Sequence, residues 1–424
     1  MEIKLTWISE SDLIIIIELT FSLSEKEGWM KRLIPASHFL LISLCIWLSA
    51  SVQEIKTVDG VRMVHNEKGG KWGENLPIKI ELIRTIGDIN TLDENLAFNM
   101  PSDIVLDDAG NIYILDAGNC RIQKFSTEGK YIDTFGREGQ GPGEFNSPTS
   151  LDIDADGDLV VADRRSRKIQ IFSTEGSLRK TITLTKHSLS EVYALNSGLL
   201  AIKGTVGYDF EGKDDEPLPK LIRLLDSEGN IEREFGEMFD YKHRLLNHRG
   251  NVFHFFVDQN DFIYLSFAHQ NRIDKHSPEG KLLWKADRVI NYSTKPLDKG
   301  KIERTATSQS YYSPRMNKCS VGIAVDNKGR VWVVTLKRQI KEEEVVYTVT
   351  RGTRTGATTQ VVGDTDLQET DMYTLEIFDP DGVLLGAIPL NHFVDDIYIN
   401  KDTLFLLDKM RGVKYYQYQI VEND

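Results

Sequence analysis

Two aspartates and a histidine, Asp103, Asp396 and His254, occupy one matched position in successive segments of this 424-residue chain, four residues ahead of a terminal Asp or Asn. The full set at that position reads Asp103, Ser150, Val192, His254, Gly322 and Asp396. Carboxylates and an imidazole around a narrow opening can ligate a cation or divide acid and base roles between them. No other chemical signature accompanies them: the chain lacks C-x-x-C, H-E-x-x-H, G-x-S-x-G and P-loop patterns. These three residues are the candidate catalytic groups, and no metal site and no cofactor are expected.

The matched positions exist because the chain repeats. Pro101 recurs at Pro148, Asp116 at Asp163, Phe125 at Phe172 and Gly129 at Gly176, all at an offset of 47. Each copy holds four short runs that alternate or stay apolar, such as DIVLD, NIYILD, RIQKFS and KYIDTF. Turn sequences such as DDAG and STEG separate them, with Gly supplying positive φ and Asp or Ser bonding its own backbone. Four hairpin-linked strands in roughly 40–50 residues make a propeller blade. Four weaker copies follow, over 191–236, 250–288, 319–390 and from Phe393 to the end. The last copy lacks a fourth strand, and Ile78–Gly87 reads as that strand displaced to the front. The expected fold is therefore an all-β, six-bladed β-propeller with four antiparallel strands per blade, the N-terminal strand closing the ring on the C-terminal blade.

The pieces P-x-x-I/L-x-x-D-x-x-G-x-I/L-Y/V-I/V-x-D, then N-x-R-I-Q-K-F, then D-T-F-G-R-E-G-Q-G-P-G-E-F-N-S-P resemble NHL-type six-bladed propellers, most closely over residues 101–180. The resemblance implies a platform for binding other molecules. A minority of related propellers are lyases or lactonases working at the channel mouth, so an enzyme is the alternative.

The N-terminal region suggests export. Met30-Lys31-Arg32, the apolar run Leu33–Leu48 and Ser49-Ala50-Ser51 have the layout of a signal peptide over 30–51, or of a retained anchor. Residues 1–29 read as an extension upstream of the true start, 52–77 as a linker and 78–424 as the propeller. The expected location is extracytoplasmic, periplasmic or secreted. The net charge of −13 argues against a nucleic-acid partner. Cys120 and Cys319 fall on different blades, which makes a disulfide between them improbable.

Strand direction sorts the loops onto two faces. Loops after first and third strands are minimal. Loops after second and fourth strands are long, including 136–148, 205–219, 237–249, 287–318 and 337–370. Function concentrates on elaborated loops held by a rigid scaffold. The long-loop face is expected to display Arg121, Arg164, Arg165, His243, Arg244, His269, Arg272, Tyr311, Tyr312 and Arg411. Arg and Tyr together suit a protein or carbohydrate ligand, with the protein itself a monomer. In the same positions, Asp116, Asp163 and Arg121 also read as braces between loops.

Overall fold

The computed structural model describes residues 2–6, 16–20, 53–184, 189–204, 217–305, 309–353 and 356–423. It divides into two units, Met1–Val52 and Gln53–Asp424. In the first, Glu2–Thr6 pairs antiparallel with Ile16–Thr20. The expected signal or anchor over 30–51 lies outside the described residues.

The second unit is a six-bladed β-propeller, as the repeat predicts. We label the strands of each blade a to d from the channel outward. Blade one is Asp103–Leu106, Ile112–Asp116, Arg121–Phe125 and Tyr131–Phe135; blade two is Pro148–Ile153, Leu159–Asp163, Lys168–Phe172 and Leu178–Thr183. Blade three is Val192–Ala194, Leu200–Lys203, Ile222–Leu225 and Ile231–Phe235; blade four is Phe253–Val257, Ile263–Phe267, Ile273–His276 and Leu282–Asp287. Blade five is Ser320–Val325, Val331–Leu336, Tyr373–Phe378 and Leu384–Pro389. Blade six takes Asp396–Asn400, Thr403–Asp408 and Lys414–Glu422 from the C-terminus, and Ile78–Ile86 joins as strand d in antiparallel register from Tyr415↔Ile86 to Glu422↔Ile78. The a strands pack side by side around the whole ring, blade six against blade one included.

Burial follows position within the blade. Strand b is apolar on both sides because each blade is sandwiched between two others, so Ile112–Asp116, Leu159–Asp163 and Ile263–Phe267 are buried throughout. Strand d faces solvent at the rim, and Tyr131–Phe135 and Ile231–Phe235 are mostly exposed. The apolar clusters lie between neighbouring blades. One recurring glycine explains part of the echo. Gly136 has φ +84°, and a Cβ there would sit 2.3 Å from the Phe145 ring; Gly87 repeats this with φ +93° and Phe98 at 2.5 Å.

The stretch 52–77, expected as a linker, is largely built into the rim. Glu54–Val58 and Val61–His65 form a hairpin, and Val61–His65 adds parallel to Leu282–Asp287, so that blade four becomes a six-stranded sheet. Asn66, 3% exposed, then stitches two blades together. Its amide donates to the carbonyls of Asp287 and Gly382 and accepts from Leu384 N–H at 2.7 Å. Such a polar stitch carries no hydrophobic periodicity, which is why the segment read as a linker. Cys120 and Cys319 are both free and buried.

Candidate functional site

Each a strand begins at the long-loop face, so the matched set stands around that mouth of the channel. The structure brings Asp103, His254 and Asp396 to one cavity of about 60 Å³, also lined by Glu191, Tyr193, Tyr398 and Tyr415. Asp103 and Asp396 belong to adjacent blades across the ring closure. Sequence reasoning missed Glu191, Tyr193 and Tyr415. Tyr193 alternates with apolar residues as a packing position would, and Tyr415 belongs to strand c of blade six, which no ring alignment of a strands includes.

The two carboxylates differ in their partners. Asp103 spans to blade two, accepting from Leu151 N–H at 3.0 Å and from the Ser150 hydroxyl at 3.1 Å. Asp152 repeats the device one blade on, accepting from Ala194 N–H at 2.7 Å. Ser150 continues the chain of contacts to Val192. Asp103 and Ser150 clamp neighbouring a strands at the mouth, and Asp152 does so farther down the channel, two residues before the Asp154 turn. Among the described residues, Asp396 accepts only from the N–H of the next residue, Ile397, at 2.8 Å. Burial pushes Asp103 and Asp152 up to about 7 and lifts Asp396 well above the carboxylate range, the nearby Asp103 charge adding to the last. His254 has no hydrogen-bond partner among the described residues. Burial, with Lys203 and Lys318 nearby, keeps its imidazole neutral. Among the described residues, no group of three His, Cys, Asp or Glu side chains could hold a metal ion.

The expected binding-face residues separate into two groups. Arg164 and Arg165 are exposed in the b–c loop of blade two, and Tyr311 and Tyr312 are 42% and 47% exposed. His243 is half-buried beside the helix Arg244–Gly250. The others are not displayed. Arg244, His269 and Arg411 are 5%, 1% and 5% exposed. Arg411 packs 3.4 Å over the Phe393 ring and donates to the Glu344 carbonyl. Arg272 forks onto the fully buried Asp274 and stacks 4.3 Å over Phe267. His269 bonds the Asn317 carbonyl at 3.0 Å, and burial holds it down to about 4. Arg121 ties the buried Asp116 (2.8 Å) to the carbonyls of Glu94 and Ala97. Arg121 and Arg272 are consumed in bracing, because an arginine fork can tie loop backbone to a buried carboxylate.

The bracing carboxylate recurs at the end of strand b. Asp116 accepts from Asn99 N–H; Asp163 from the N–H groups of Asn146, Ser147 and Ser166; Asp408 from those of Arg411 and Gly412. Two of the long segments, before and within blade five, fold as hairpins of their own. Lys301–Arg304 pairs with Gln309–Tyr312, and Tyr347–Thr353 with Gly356–Val362. The base of the second hairpin is pinned by Arg338 bonding both Glu344 oxygens, which holds that carboxyl at about 2. Phe239 and Tyr347, 55% and 50% exposed, join Tyr311 and Tyr312 among the exposed rings on these segments.

Comparison with known proteins agrees with this architecture. Residues 88–275 match the model of a family, DUF5128, described as a 6-bladed beta-propeller. A member of the DUF4221 family from Bacteroides vulgatus superposes with a TM-score of 0.54 at 10% identity, covering 81% of this chain and 99% of that one. A protein of Bacteroides fragilis gives 0.50 at 11%, covering 85% and 100%. Virginiamycin B lyase from Staphylococcus aureus gives 0.44 at 13%, covering 81% and 100%. At these identities the likenesses bear on the fold alone. No curated protein matches the chain.

Proposed function

We propose that this propeller is an extracytoplasmic binding module of the NHL type, with a protein or glycan ligand docking on its long-segment face. The observation that carries this reading is the asymmetry of the two faces. One face closes every blade with a minimal turn. The other carries a helix and two hairpins that place Phe239, Tyr311, Tyr312 and Tyr347 in solvent, with Arg164 and Arg165 exposed on the same face. Exposed rings with arginine are the composition of interface anchors. The enzyme alternative has the raised carboxylates of the channel mouth in its favour. The cavity there, about 60 Å³, is far below the roughly 300 Å³ where small-molecule pockets begin.

The test is a glycan array and an acidic-peptide panel probed with three proteins. These are the parent, a Tyr311→Ala/Tyr312→Ala variant and a control altered on the opposite face, Asp156→Arg/Glu228→Arg. Binding lost only in the tyrosine variant supports the assignment. Binding lost only in the control would move the working surface to the minimal-turn face.

A further inference from the structure

The channel-mouth cavity has chemistry of its own, independent of the long-segment reading. Asp103 and Asp396 face it from adjacent blades, close enough for each charge to oppose the other. Among the described residues neither is in an ion pair, although the neighbouring Glu191 has Lys203 at 2.5 Å. One Asp396 oxygen has no hydrogen-bond donor among those residues. The Tyr415 side chain lines the same cavity, is 2% exposed, and has a hydroxyl with no hydrogen-bond partner among the described residues. A buried hydroxyl left unpaired costs free energy, as does a buried carboxylate without a counter-charge. The walls are aromatic: Tyr193, Phe255, Tyr398 and Phe405 line the cavity with Tyr415.

We propose that this cavity is a binding site for a primary alkylammonium group. An ammonium carries three donors and no acceptor. Asp396, Asp103 and the Tyr415 hydroxyl oxygen are acceptors on the cavity wall, and ring faces around a desolvated cation add to the attraction. A volume of about 60 Å³ suits an ammonium head with its first methylenes, not a larger group. The lack of a three-ligand His, Cys, Asp or Glu group among the described residues disfavours a bare metal ion, and the carboxylates disfavour an anion. Burial is the largest cause that raises Asp103 to about 7 and Asp396 higher, and Lys409 offsets the rise at Asp396 only in part.

The experiment is calorimetric titration of the full chain with n-butylammonium, with neutral n-butanol as the isosteric control. Nα-acetyl-lysine methylamide is a third ligand, to distinguish a free amine from a lysine side chain of a partner protein. Butylammonium is expected to bind at least about tenfold more tightly than butanol, since charge-assisted bonds are the strong ones. Asp396→Asn should weaken it about tenfold and Tyr415→Phe a few-fold. Binding of the blocked lysine as well would extend the site to protein side chains; its failure beside bound butylammonium would assign the site to free amines. Equal binding of butanol, or no binding of either amine, overturns the proposal. So does an Asp396→Asn variant that binds like the parent. Tyr415→Phe keeps the ring and its packing, so an unchanged affinity in that variant is also decisive if Asp396→Asn fails to fold.

Discussion

The two faces of this propeller are made from the same repeat and are held together in different ways. On the minimal-turn face Asp107, Asp154, Asp226, Asp326 and Asp379 each cap their own turn, and Asp261 reaches the turn of the neighbouring blade, accepting from Asn196 and Ser197 N–H. Asp154 accepts from Asp156 N–H at 3.0 Å and Asp158 N–H at 2.9 Å, all within five residues. On the long-segment face a buried carboxylate at the end of strand b holds backbone from distant parts of the chain, as Asp163 holds Asn146 and Ser147. A locally closed turn has no means of anchoring an insertion. In blades one, two and six the strand-b carboxylate gathers loop N–H groups and fixes the loop it meets, whereas blades three, four and five, beside the longest segments, end strand b in Lys203, Phe267 and Leu336.

Removing an anchor should therefore cost far more than removing a turn cap. Asp163→Ala leaves three backbone N–H groups without their acceptor around a fully buried site. We expect a loss of about 4 kcal/mol. Asp154→Ala on the opposite face should cost about 1 kcal/mol, because solvent can replace its bonds. Urea denaturation of the two variants reads the difference, and equal losses would break the comparison.

Glycines sharpen the same contrast with a smaller effect. Gly136 and Gly157 share a left-handed backbone, φ +84° and +80°. A Cβ on Gly157 would meet nothing within 4 Å, whereas one on Gly136 would meet Phe145 at 2.3 Å. Gly157→Ala should cost about 1 kcal/mol, for backbone strain alone. Gly136→Ala should cost about 3 kcal/mol, since the ring must also move. A Gly136→Ala protein as stable as Gly157→Ala would show that Phe145 is free to shift.

What the sequence reveals of this molecule follows the division between the faces. Hydrophobic period and turn chemistry are local, so the blades, their number and the closure by Ile78–Ile86 are legible. The mouth set Asp103, His254 and Asp396 is legible too, because a repeat turns spacing along the chain into position around a ring. Arg244, Arg272 and Arg411 mislead, since an arginine in a polar loop looks the same whether it meets solvent or the protein interior. Asn66 and Tyr415 escape because their contacts are made across blades, hundreds of residues from their own segment or outside the a-strand alignment.

The buried carboxylates of the channel lining carry a pH signature that the surface turns should lack. Asp103 and Asp152 are raised to about 7 and Asp396 higher, so the folded protein holds protons the unfolded chain released near pH 4. Their contribution is full below pH 4 and is lost as pH rises through 7. The buried histidines act oppositely: His269 and His276, held at about 4, favour folding as pH rises to their unfolded value near 6.5. Above pH 6.5 the carboxylates outweigh the remaining histidine contribution, and stability should fall by roughly 1–2 kcal/mol between pH 6.5 and 8. Asp152→Asn should shallow that fall, while Asp154→Asn in its surface turn should have much less effect on it. Thermal unfolding at the two pH values measures both, and a parent protein more stable at pH 8 would reverse the assignment.

The smallest expected change in stability belongs to the residues most exposed to a ligand. Arg164 and Arg165 stand in solvent on the b–c loop of blade two, and the carboxylate beneath them, Asp163, is already satisfied by backbone. Arg164→Glu/Arg165→Glu should shift unfolding by no more than about 0.5 kcal/mol, while reversing two charges on the proposed docking surface. A loss comparable to that of Asp163→Ala would mean that these arginines, like Arg121, are spent on the scaffold. An unchanged unfolding midpoint would leave the two arginines available to a ligand. Stability would then separate the face into anchors that hold the segments and a surface that the segments exist to present.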